Sequence, residues 1–110
     1  IHKAFYTDIL NHNIRPQKHN IFFKGTNPAK EQYSGYEAVN ASGISIEDAS
    51  THDIIIAGIA SEYCVMETAM DFVKRGFNVS IIVGALAYVD KAGHEKAIAE
   101  FRSKGINLLY

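Results

Sequence analysis

The chain holds a single cysteine, Cys64, which follows the apolar run Ile54-Ile55-Ile56-Ala57-Gly58-Ile59-Ala60. The pattern predicts a strand over 53–58. A helix then opens near Cys64, where Met66, Ala69, Met70 and Val73 recur at helical intervals. A thiol at that junction stands at the carboxyl end of a parallel strand and the amino end of a helix. Free backbone N–H groups and the helix dipole favour a thiolate there and can lower a thiol pKa. Ligands of open α/β sheets bind along the same edge. A lone cysteine is also commonly a small buried apolar residue, so position alone leaves both readings open. The second candidate is Lys24, which ends the apolar stretch Ile21-Phe22-Phe23 before Gly25 and Pro28 turn the chain into a loop. Such a lysine is ordinarily a solvated charge. If two parallel strands bring Lys24 and Cys64 to one sheet edge, the ammonium would stabilise the thiolate and relay protons.

The elements that would position these groups alternate regularly. The sequence predicts a helix from about His2 to His12, a strand near Asn20 to Phe23, and a long polar loop. Ser45, Glu47 and Asp48 then open a short helical turn. After the strand over 53–58, the Cys64 helix ends at Lys74-Arg75-Gly76, in the charge-then-glycine order of a helix carboxyl terminus. A third strand is expected over Asn78 to Val83. A last helix with Ala97, Ile98 and Phe101 on its inner face and a short strand over Ile106 to Leu109 complete the chain. Strands alternating with helices imply right-handed parallel crossovers, hence an α/β fold of three layers, α/β/α, around a parallel sheet.

Lys24-Gly25-Thr26-Asn27-Pro28 followed by Tyr33-Ser34-Gly35-Tyr36 resembles the lysine segment of nicotinamidases. Gly58-Ile59-Ala60-Ser61-Glu62-Tyr63-Cys64 resembles their nucleophile segment. The likeness continues through Gly76-Phe77-Asn78-Val79, into His94 and the closing Gly105-Ile106-Asn107-Leu108. It spans the chain from about residue 20 onward. The parent superfamily is the isochorismatase-like cysteine hydrolases, a Rossmann-like fold, and the Tyr-Cys pair points to its nicotinamidase/pyrazinamidase branch.

That resemblance implies an amidase in which Cys64 is the nucleophile and Lys24 the triad lysine. The backbone N–H groups of Ala60 and Cys64 would form the oxyanion hole, with a cis peptide between Ile59 and Ala60. Tyr33 and Tyr63 would wall a flat heteroaromatic ring. Glu62 would lie beside the pocket and outside the triad. The family's triad aspartate, its Asp-x-His pair and a further metal-binding histidine have no counterpart in this sequence. Residues 1–110 are therefore expected to be the carboxyl-terminal part of a single isochorismatase-like hydrolase domain, incomplete at the amino terminus. A divalent metal such as zinc is expected in the complete enzyme, with its ligands elsewhere.

Composition is compatible with that reading. Of 110 residues, 47% are hydrophobic, enough for a core in one domain. A formal charge of −1 supplies no basic stripe for nucleic acid or an anionic membrane. One cysteine precludes an internal disulfide and suits a reducing cytoplasm. His2, His12, His19, His52 and His94 show no metal-ligand spacing and read as scattered surface residues. The substrate expected is a small amide, and an oligomer of identical chains stays open. A catalytically dead remnant or an α/β binding module is the competing class. A vinyl-ether hydrolase of isochorismatase type is a third reading, which the Lys24 loop disfavours.

Overall fold

β-Branched residues that alternate between two environments set the sheet. The computed structural model describes residues 3–9, 11–24 and 34–110. In it, β1 (Asp53–Ile59), β2 (Asn78–Ala87) and β3 (Asn107–Leu109) form a parallel sheet in the order β1-β2-β3. Ile54 pairs with Val79, Ile56 with Ile81, and Ile81 with Leu108, so these residues share one face. The helices α3 (Cys64–Lys74) and α4 (Lys91–Ser103) cover that face; α1 (Ala4–Thr7) and α2 (Ile46–Ala49) are single turns. Two successive right-handed crossovers in one direction place both long helices on the same side. There Val65, Ala69 and Phe72 of α3 and Ala97 and Phe101 of α4 are buried with Val79, Ile81 and Ile106. Burying each large apolar side chain contributes roughly 1.5–3 kcal/mol.

The buried stripe of α3 is centred on Val65, Ala69 and Phe72; Met66, Met70 and Val73 pack against its margin, only partly buried. Both long helices end in a Schellman motif. The Gly76 and Phe77 amides donate to the carbonyls of Val73 and Phe72, and those of Gly105 and Ile106 to the carbonyls of Arg102 and Phe101. The opposite sheet face carries Ile55, Ile82 and Leu109, all exposed. No helix lies over it among the described residues.

Three elements differ from the sequence expectation. The helix expected over 2–12 is reduced, among the described residues, to α1 and a 3-10 turn, His12–Ile14, capped by the Asn11 side chain. The strand expected over 20–23 is a single antiparallel bridge: Phe23 pairs with Val39, which pairs with Ser45. Buried Asn40 holds this corner, accepting from the Ser42 and Ile44 amides and donating to the His19 carbonyl. Its local hydrogen bonds and the short apolar run make a turn cheaper than a fourth parallel strand. β2 runs on to Ala87 because its register against β1 breaks, from Ile56↔Ile81 to Gly58↔Leu86, and pairing then resumes. Gly58 has φ +133° at this break, a conformation for which a side chain would be strained by about 1–3 kcal/mol.

Candidate active site

The break at Gly58 delivers the chain to a tight strand-to-helix turn. The Ile59–Ala60 peptide is cis, as the resemblance implies. Ala60 and Ser61 are buried, and half-buried Cys64 is the first residue of α3. No side chain caps that helix at Tyr63. The amides of Ser61, Tyr63 and Val65 donate to the carbonyls of Ala87, Ala60 and Ala60 respectively. The Ala60 and Cys64 amides are left without an acceptor among the described residues. Native structures leave few buried amides unpaired, since each costs about 1–3 kcal/mol. Backbone donors left free beside a thiol-bearing helix amino terminus are the kind of group that stabilises a developing oxyanion.

The same turn is tied to the segment between β2 and α4. Glu62 accepts hydrogen bonds from the Val89 amide at 3.0 Å and the Asp90 amide at 2.7 Å, one on each carboxylate oxygen. Ser61 Oγ lies 2.6 Å from His94 Nδ1. The Tyr88 and His94 rings pack with centroids 4.7 Å apart. Gly93 lies against Glu62: a Cβ there would stand 3.4 Å from both Cβ and Cγ of Glu62, at the edge of ordinary van der Waals contact. Asp90 caps α4 through the Gly93 amide. Desolvation pushes the Glu62 carboxyl up. The amides of Val89 and Asp90, its own amide and nearby His94 outweigh it and hold the carboxyl below its ordinary value.

A carboxyl depressed in the folded state binds fewer protons there than in the unfolded chain. Its stabilisation is complete above the unfolded pKa of about 4.3 and is lost as pH falls through the lower folded value. Glu62→Gln should therefore lower Tm at neutral pH, and the gap to the parent should close on acidification below about pH 4. A gap that stays constant across that range in thermal melts would show that the charge contributes nothing.

Of the other residues singled out by sequence, Lys24 is exposed and follows the Phe23–Val39 bridge. It does not reach the site on a parallel strand, because Phe23 is outside the sheet. The far end of its segment docks on α3, the helix that Cys64 opens. The Gly35 amide donates to Thr68 Oγ1 at 2.7 Å, and that hydroxyl donates to the Cys64 carbonyl at 2.6 Å. Tyr36 is buried edge-on against Phe72 at 5.0 Å. Tyr33 lies outside the described residues. Tyr63 is 51% exposed beside Cys64 and free to meet a ligand.

The description "Isochorismatase domain" matches residues 9–109. The chain belongs to the isochorismatase family. It is 28% identical over 93 residues to a nicotinamidase/pyrazinamidase of Mycobacterium tuberculosis, covering 81% of this chain and 49% of that protein. A nicotinamidase of Schizosaccharomyces pombe is 32% identical over 90 residues, covering 78% and 40%. The crystal structure of a pyrazinamidase of Pyrococcus horikoshii in complex with zinc superposes with a TM-score of 0.68 and 36% identity, over 78% of this chain and 48% of that one. This isochorismatase-family chain thus spans about half the length of the relatives it matches.

Among the described residues of the isochorismatase-family chain, no group of three His, Cys, Asp or Glu side chains gathers as a metal would require. These residues do not fit a metal centre. No described helix is long and apolar enough to cross a membrane. His94, read from sequence as a surface residue, is instead half-buried against Ser61 and Tyr88. The contacts of Thr68 with Gly35 and of Ser61 with His94 gave no signal in the sequence, since the partners lie about a third of the chain apart. The polar Ser61-Glu62 pair wedged between an apolar strand and an amphipathic helix was the nearest hint.

Proposed function

We propose that this isochorismatase-family hydrolase acts on the carboxamide of nicotinamide, releasing nicotinate and ammonia through a thioester on Cys64. The observation that carries the reading is the pair of amides, at Ala60 and Cys64, without an acceptor among the described residues in the segment that ends at the sole thiol. Similarity to nicotinamidases supports the choice of substrate. In this reading the whole domain is needed, and residues 1–110 are its carboxyl-terminal part.

Cys64 Sγ attacks the carboxamide carbon, and the carbonyl π pair moves onto oxygen. The N–H groups of Ala60 and Cys64 receive that charge in a site already oriented for it. The C–N bond then breaks; the nitrogen takes a proton and leaves as ammonia. Water attacks the thioester, the C–S bond breaks, and the thiolate is restored as nicotinate departs. Lys24 and an acid outside these residues move the protons. Tyr63 offers a flat face to the pyridine ring, and the resemblance gives the same part to Tyr33, which lies outside the described residues. A divalent metal such as zinc would be held by ligands outside this chain.

The test is direct. The full-length protein, incubated with nicotinamide, should form nicotinate and ammonia in equal amounts, measured by chromatography and a coupled ammonia assay. A well-folded protein that forms neither would overturn the reading.

A further inference from the structure

We propose that His94 is a positioning residue for this reaction: through Ser61 it fixes the Ala60–Cys64 segment that carries both oxyanion donors and the thiol. The inference rests on the amidase reading for its catalytic readout, but its structural content stands apart. Ser61 is fully buried, follows Ala60 directly, and has its amide committed to the Ala87 carbonyl at 2.9 Å. Its hydroxyl then has one partner, His94 Nδ1 at 2.6 Å. The adjacent Glu62 is held by the backbone amides of Val89 and Asp90. Two consecutive side chains therefore anchor the turn to the start of α4, one through backbone and one through an imidazole.

This arrangement has a consequence for geometry. The amides of Ala60 and Cys64 are not held by hydrogen bonds of their own, so their orientation depends on the residues between them. Releasing Ser61 leaves Glu62 as the one side-chain tie and lets the Ala60 peptide plane turn about it. A displacement near 1 Å at a reacting centre can cost on the order of 100-fold in rate. The His94 ring is itself braced: its backbone amide donates to the Asp90 carbonyl at 2.9 Å, and Tyr88 packs on the ring. The brace makes the imidazole a fixed point and not a mobile surface group.

Three variants of the full-length protein test this. His94→Ala should lower kcat for nicotinamide by roughly 10- to 100-fold with KM changed less than about threefold. It should also slow alkylation of Cys64 by iodoacetamide. His94→Asn, whose amide places a donor and an acceptor near the position of Nδ1, should recover most of both losses. Ser61→Ala should reproduce the His94→Ala effect, and the double variant should be no worse than either alone, because both remove one contact. A folded His94→Ala protein with parental kcat and alkylation rate would overturn the proposal, as would additive effects in the double variant. Should His94→Ala not fold, Ser61→Ala carries the same two readings. If the parent fails to hydrolyse nicotinamide, the substrate assignment falls, and the alkylation series alone decides the positioning role.

Discussion

Cys64→Ala in the full-length protein should reduce kcat for nicotinamide by on the order of 10⁴- to 10⁶-fold, the loss seen when a covalent nucleophile is removed. The fold should tolerate the change. Cys64 is half-buried at the first position of α3, and alanine has the highest helix propensity of any residue. The expected cost in stability is about 1 kcal/mol or less. A parallel thermal melt would separate the two effects. The oxyanion donors survive in the variant because they are backbone amides, so residual substrate binding should persist. The parent thiol, at an uncapped helix amino terminus, should react with iodoacetamide faster than an ordinary thiol, and the variant should incorporate no label. Hydrolysis at a near-parental rate by Cys64→Ala would remove the nucleophile assignment.

Much of the fold was legible because its elements are local. The continuous apolar run of β1, the helical spacing after Cys64 and the glycines after Lys74-Arg75 and Lys104 each act within a few residues, and each corresponds to an observed boundary. The stretch Ile21-Phe22-Phe23 shows where this reasoning stops. An apolar triplet is compatible with a strand, but only a neighbour supplies the ladder, and the neighbour it finds is Val39 in an antiparallel bridge. The extension of β2 to Ala87 was equally hidden, since it follows a break in register against β1, where Ile56 to Gly58 faces the longer stretch Ile81 to Leu86.

The site divides in the same way. The proposed nucleophile and donors lie within one short segment, Ala60 to Cys64, and were named through the family resemblance of that segment. The residues that hold that segment are remote in the chain. Ser61 meets His94, Glu62 meets Val89 and Asp90, and Gly35 meets Thr68 through contacts with no periodicity. His94 has no paired ligand spacing and looks, in isolation, like any exposed histidine. Tertiary contact alone gives it a role.

Lys24→Arg probes the part of the mechanism that is farthest from the thiol in sequence. Lys24 follows the Phe23–Val39 bridge, and the segment it begins returns to α3 at Gly35, docked on Thr68 one turn beyond Cys64. The Gly35 contact ties the far end of that segment to α3. The substitution keeps a positive charge but replaces a compact ammonium, whose pKa shifts readily, with a planar guanidinium that stays protonated. If Lys24 shares protons with Cys64, turnover should fall by two or more orders of magnitude, the usual range for a lost acid–base contribution being about 10²–10⁴. Substrate binding should change far less, because the charge remains. If Lys24 is only a solvated loop charge, kcat should stay within about twofold of the parent. Since Lys24 is exposed, Tm should be nearly unchanged in either case, so the melt checks that a fall in kcat is chemical. Near-parental hydrolysis of nicotinamide by a folded Lys24→Arg protein would leave Cys64 without its proton partner on this chain. The proton-transfer role of Lys24 would then fall.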